Sequence, residues 1–463
     1  LNPHTRNVLQ LGLGFFFIFL AFNSQGFIEE SVLDSFTGRV DKHAGYTSLS
    51  IIYASFTLCN FVAPPIIKFL GTRTSLVVSG SVYILFLSGF LSIHQWFLYD
   101  TSALLGLAAA VLWTAQGKYL TLNSNAQNAG RNSSLFLCFA QSCLSCGGLF
   151  LLVVFLLNPD DTNQIQSSSS NSSITTNAFT PETIRLLYSF FTGIALVGVV
   201  VLSLLPPAQR VNNENENQKQ HSFKKEENED KFLLAEIQSI FRIAKTPKMV
   251  ALGIVFANTG ILLSFWSSVF PTSIINTLVL QSQFSPKVLI ALNGIVKGAG
   301  QPFLSLMFER LQLDRVRKSR IIFVGALIQF SAVALCFINL PDASPLNRTD
   351  GDGIISPRVW IALLCGFLLS FGDACWTTQI FAFLITNYPT QSAQAFALLK
   401  FYQSLLTSLL FFFSGYMSLH WHLFILLISG AIGYWAFSLA ERMELISEKR
   451  QRVADKIDSI TYG

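Results

Sequence analysis

The chain has 463 residues, 51% of them hydrophobic and only 12% charged, with a formal net charge of +5. A soluble domain carries about twice that share of charge, so an ordinary water-soluble globule is excluded, and the small positive excess does not point to nucleic acid. Seven cysteines, mostly inside apolar runs, suggest packing residues rather than a disulfide framework.

Crossing roughly 30 Å of hydrocarbon takes about 20 residues. Backbone groups in lipid must pair within their own segment, so such runs are read as helices. In chain order, spans are expected at 7–28, 46–69, 74–97, 99–122, 131–157 and 182–206. Val8 to Ile28 is long for a signal peptide and no small-x-small cleavage site follows it, so it is taken as the first span. A polar block then interrupts the chain from Pro206 to Lys248, and six further spans are expected at 249–275, 286–308, 319–340, 357–387, 390–418 and 421–441. The expectation is an all-α polytopic membrane protein of twelve transmembrane helices in two six-helix bundles. Its boundaries fall at 1–206, a linker at 207–248, a second bundle at 249–441 and a tail at 442–463.

From Val211 to Asp230 the block holds too few bulky apolar residues to offset the cost of ordering, and it reads as a tether. Its end differs. Leu233, Ile237, Ile240, Phe241 and Ala244 recur at helical spacing, which fits either an amphipathic helix at the membrane surface or an extension of the next span.

Lys and Arg set the orientation. With both termini cytoplasmic, 23 of the 31 fall on the cytoplasmic side, whereas the opposite segments hold Arg39, Lys42, Arg185, Lys287, Arg348 and Arg358. Glycosylation sequons at Asn171 and Asn347 then lie on the outer or luminal side, where they can be modified, and one at Asn132 lies on the cytoplasmic side and stays bare.

Ionisable groups deep in a span are expensive and usually face protein or water. The first half has none; Lys118 is near a span end. The second half has Lys297, Asp373 and Lys400, each on a polar stripe. Asn293, Lys297 and Gln301 share one face of the eighth span, with Gly294 and Gly298 spaced for close approach of another helix. Gly366, Ser370, Asp373 and Thr377 share a face of the tenth, with Trp376 beside it. Lys400, Gln403, Ser404 and Thr407 do so in the eleventh. Three readings stand: Asp373 as a proton or cation site in a central cavity with Lys297 or Lys400 as counter-charge, a structural Asp–Lys pair, or a partner-binding site in the membrane. Neutral candidates for the same cavity are Trp113, Thr114, Gln116, Gly117 and Thr121 in the fourth span, Asn258, Thr259 and Trp266 in the seventh, and Asn23 and Gln25 in the first. Each alone also fits a helix–helix hydrogen bond.

Cys143 and Cys146 form a C-x-x-C inside a span and read as packing. His420 and His422 flank Trp421 as an interfacial anchor. H-E-x-x-H, G-x-S-x-G and the phosphate-binding G-x-x-x-x-G-K-[ST] are all missing from the sequence, so neither an enzyme nor a cofactor is expected.

Six plus six helices joined by a long loop resembles the major facilitator superfamily. That family has a Gly/Asp/Arg-rich signature after its second and eighth spans, which the resemblance implies is a lock between helices on the cytoplasmic side. After the eighth span FERLQLDRVRKSR, with Glu309, Arg310, Asp314, Arg315, Arg317 and Lys318, resembles it. After the second, KFLGTRTS keeps Gly71 and Arg73 but lacks the acid. More narrowly, Gly45–Arg73, AAAVLWTAQGKYLTLNS at Ala108–Ser124, GRNSSLF from Gly130, FGDACWTTQIFAFL at Phe371–Leu384 and Ala395–Phe412 resemble the Unc-93-like branch. The resemblance implies the fold. For function it implies either secondary transport or an accessory role, since relatives act as subunits of a potassium channel or as escorts of nucleic-acid-sensing receptors. The expected partners are the lipid bilayer and either a small solute or another membrane protein.

Overall fold

The computed structural model describes residues 2–26, 29–34, 40, 44–157, 181–207 and 229–461. The first half contains α1 (Pro3–Gly26), α2 (Glu29–Asp34), α3 (Ala44–Cys59), α4 (Ala63–Leu70), α5 (Thr72–Gly89), α6 (Gln95–Leu122), α7 (Ala129–Leu157) and α8 (Pro181–Ser203). The polar block contributes α9 (Glu229–Ala244). The second half contains α10 (Pro247–Ser264), α11 (Phe270–Asn276), α12 (Leu278–Gln281), α13 (Pro286–Leu311), α14 (Lys318–Asn339), α15 (Val359–Asn387), α16 (Ser392–Ser414) and α17 (Leu419–Thr461).

Each expected span lies on a helix or a pair of helices. Among the described residues, nine helices are long and apolar enough to cross a membrane, and a bent pair makes a tenth. α5 and α13 fall below that mark on composition. α5 starts beside Arg73 and is rich in serine, and α13 carries Lys287, Lys297, Glu309 and Arg310. The sequence count of twelve thus rests on position for these two.

Two spans are not the continuous rods that hydropathy suggests. The second breaks between α3 and α4 with a bend of 73°. Pro64 and Pro65 cannot donate to the preceding turn, and their rings crowd its carbonyls. Asn60 Nδ2 instead bonds Phe56 O at 2.7 Å, closing the end of α3. The seventh span breaks as well, with a π-turn at Phe265–Val269 between α10 and α11.

The halves meet along α7 and α13 through small residues. A side chain at Gly148 would collide with Ala291 O, and one at Gly298 with the Ser145 backbone. Ser145 Oγ donates to Ile295 O at 2.8 Å across this seam. Without a hydrophobic drive between helices in lipid, such close approach supplies the attraction. The Gly294 and Gly298 spacing in the sequence is what lets α7 in.

α9 is separate from α10. Thr246 caps α10, its hydroxyl accepting from Met249 N at 3.3 Å, and Pro247 opens it. The apolar stripe of α9 buries Ile240 and Ile243 against the ends of the spans. The end of the bundle where α9 sits is called the linker face below. α17 continues past its apolar stretch on this face, where Lys248 pairs with Glu444, and Arg317 with Glu441 at 3.7 Å. At the opposite end, the loop bearing Asn347 pairs with the end of the seventh span through Thr349 N to Asn276 O, 2.9 Å, and Asn347 is exposed. Asn132 is buried and donates to Asn123 O, and Asn171 lies outside the described residues.

Candidate functional site: buried charges at the junction of the halves

The π-turn explains Lys297. Phe270 N–H reaches back to Phe265 O, one residue further than in an α-helix. Pro271 has no N–H to offer the next carbonyl. Trp266 O is therefore left without a backbone donor, which is costly away from water. The Lys297 ammonium donates to it, and sits 5.3 Å from the Trp266 ring centre and 5.8 Å from that of Phe270. The lysine is buried. On the same face of α13, Gln301 Nε2 donates to Thr378 Oγ1 at 3.0 Å, and Ser370 Oγ donates to Lys297 O. Gly366 leaves room for Asn293, whose Oδ1 lies 2.7 Å from where a β-carbon on that glycine would be; this oxygen is buried and has no partner among the described residues. The polar stripe of α13 thus binds the seventh and tenth spans.

Asp373 and Thr377, further along α15, are half-buried, with Thr377 Oγ1 3.5 Å from Asp373 Oδ1. Of the two lysines, Lys400 lies nearer to Asp373, since Lys297 is turned to Trp266. No ion pair among the described contacts joins Lys400 to Asp373. Lys400 instead donates to Gln403 Oε1 at 2.9 Å and rests over Trp113, 4.3 Å from its ring centre. That is a cation–π contact from the second half onto the first. Trp113 is braced by the rings of Phe15 and Phe19 at 5.3 and 5.1 Å. One turn nearer the linker face, Gly117 takes the Phe396 ring so closely that no side chain fits. Phe396 in turn packs edge-on against Phe381 at 5.1 Å. The structure therefore brings Asp373, Thr377, Lys400 and Trp113 together, and sends Lys297, Asn293 and Gln301 to a separate cluster.

Other sequence candidates go elsewhere. Trp376 faces into the second half, donating to Gln329 Oε1 at 3.1 Å. Asn23 bonds Cys143 Sγ at 3.4 Å, and Gln25 bonds Glu29 at 2.7 Å. Asn258 lies under Gly433. Gln116 and Thr114 are fully buried, and their side-chain polar atoms have no partner among the described residues. Sequence reading missed the π-turn; Pro271 inside an apolar run was its signal.

On the linker face, Asp314 Oδ1 accepts Arg131 N at 3.0 Å, at the third residue of α7, and Glu309 lies 3.7 Å from the Arg131 guanidinium. Arg315 is exposed on its turn, and Arg317 faces Glu441. Gly71, at φ +81°, turns the chain between α4 and α5, and Arg73 donates to Ser203 O within the first half. α9 brings an acid to the end of α4, the helix that leads into this loop. One Glu236 oxygen accepts from Lys68 and the other from Gln394 Nε2 at 2.9 Å.

The fold is that of major facilitator transporters. A crystal structure of the transporter FucP in its outward conformation matches with a TM-score of 0.64 at 15% identity, covering 94% of this chain and 98% of that one. The proton:xylose symporter XylE bound to 6-bromo-6-deoxy-D-glucose matches at 0.56 and 14% identity, with 94% of each chain covered. Within that class the chain belongs to the UNC-93 family, since the family model described as ion channel regulatory protein UNC-93 matches residues 36–438. The UNC93-like protein MFSD11 of Xenopus laevis is 32% identical over 95% of this chain and 97% of its own length. The human protein unc-93 homolog A is 24% identical over 95% and 93%.

Proposed function

We propose that the chain is a secondary transporter of a small solute, its halves rocking about a site in mid-membrane, with Asp373 carrying the coupling proton or cation and Lys400 as its counter-charge. The observation that carries this reading is the placement of Lys400. It is rooted in the second half within the field of Asp373, and its ammonium rests on Trp113 of the first half. A change of charge at Asp373 alters the pull on Lys400 and so the contact between the halves. Thr377 joins this site as a polar contact. Lys297, Asn293 and Gln301 hold the seventh and tenth spans around it. The Lys and Arg bias puts the linker face and both termini in the cytoplasm, which makes this the form closed toward the cytoplasm. Asn347 is then the exposed acceptor for a glycan.

The test is a solute panel on the reconstituted protein, read as solute-driven pH change or ion uptake. Asp373→Asn is expected to abolish coupled flux, a loss of more than about tenfold from removing one intramembrane charge, with unchanged protein in the membrane. Equal flux in the variant would remove Asp373 from the mechanism.

The family description favours a second reading, a non-transporting accessory protein that regulates another membrane protein. It predicts no flux for any solute, and a membrane partner that co-purifies in fixed ratio with wild type and Asp373→Asn alike.

A further inference from the structure

The two loops between the second and third and the eighth and ninth spans occupy equivalent places in the halves, yet only the second carries its acid. Asp314 there reaches the first half, where it accepts from the third residue of α7, Arg131. In the other direction the corresponding helix is α16, and its third residue is Gln394. That residue also donates to an acid, Glu236, which lies in α9 and not in the loop. The other Glu236 oxygen is held by Lys68 at the end of α4, the helix that leads into the acid-less loop. The carboxylate is largely buried, with 11% of its side chain exposed, whereas Lys68 is half exposed, so the bond to Gln394 is better shielded from water than the ion pair with Lys68.

Aromatic packing places the helix for this task. Phe241 of α9 stacks on Phe61 at 5.5 Å with 12° between the ring planes, and Phe61 packs against Phe401 of α16 at 4.6 Å. Phe61 sits at the break between α3 and α4, where the span bends by 73°. Ile240 and Ile243 are buried beside it.

We infer that α9 is a latch: Glu236 replaces the acid missing from the first loop and, by bridging Lys68 of the first half to Gln394 of the second, holds the linker face closed. The latch belongs to the chain itself and needs no partner or modification. It works whether or not a solute crosses, because it acts on which form the two halves adopt. Opening this face requires Glu236 to leave either Gln394 or Lys68, so α9 sets the balance between closed and open forms. The isosteric Glu236→Gln keeps the helix and its aromatic seat but loses the charge that makes both bonds strong.

Hydrogen–deuterium exchange on the full-length reconstituted protein tests this. In Glu236→Gln, exchange in residues 112–122 and 392–401, where the fourth and eleventh spans close the linker face, is expected to rise by roughly tenfold, as befits loss of bonds to a charged group. Exchange within α9 should stay close to wild type. The double exchange Lys68→Glu with Glu236→Lys is expected to restore protection, since Gln394 can turn its carbonyl to the new lysine. Unchanged exchange in Glu236→Gln overturns the latch. So does a rise that the double exchange does not reverse, or one that comes with melting of α9, because the docked helix and not its carboxylate would then be closing the face. None of these readouts depends on transport, so failure here is distinct from failure of the Asp373 mechanism.

Discussion

A buried lysine in a membrane helix has to find an acceptor, and Lys297 and Lys400 find different ones. Lys297 takes the backbone carbonyl that the π-turn leaves open, while Lys400 takes a glutamine oxygen and a tryptophan face. The sequence showed that both were buried and on polar stripes, but assigned either as counter-charge to Asp373. The ammonium of Lys297 is turned to the seventh span, which leaves Lys400 as the lysine nearer to Asp373 among the described residues. Lys297→Met is therefore expected to behave as a structural lesion. It leaves Trp266 O without a donor, costing about 1–3 kcal/mol, read as a lower thermal midpoint of the purified protein. Asp373→Asn, by contrast, should act on coupling.

At the scale of the element, three prolines and one glycine decide where spans stop being simple rods. Pro271 removes the donor that would keep the seventh span α-helical, and the π-turn follows. Pro271→Ala restores that N–H and should let the α-helical pattern close through 265–270, freeing Lys297. A structure of the variant checks this, the expected sign being Phe270 N–H on Trp266 O. Gly71 sits at φ +81° between two helices. A β-carbon there meets no neighbour, so Gly71→Ala pays for backbone strain alone, about 1–3 kcal/mol. A thermal or denaturant titration measures it, and a shift under a few tenths would refute the strain. These features were written in the sequence as Pro-Pro, Phe-Pro and Leu-Gly-Thr, but hydropathy windows average over them. For α9 the apolar spacing was plain, whereas its seat was not, because a stripe says that a helix docks and leaves open on what.

At the scale of the whole molecule, the halves are joined by small residues between α7 and α13, by Lys400 on Trp113 and Phe396 on Gly117, and by Glu236 at the linker face. Gly298→Val forces α7 away from α13, since even a β-carbon collides with the Ser145 backbone. Overpacking of this kind costs about 1–3 kcal/mol. The expected result is faster proteolysis between the halves, with the helical content of each retained. The sequence alone determined the spans, the polar block between the halves and the three intramembrane charges, because each follows from the local balance of apolar and polar groups against lipid. Only the tertiary structure decided which charge meets which partner. Lys400 and Trp113, or Glu236, Lys68 and Gln394, are far apart in the chain, and their meeting depends on how closely glycines let helices approach and where prolines bend them, geometry that no local pattern of residues encodes.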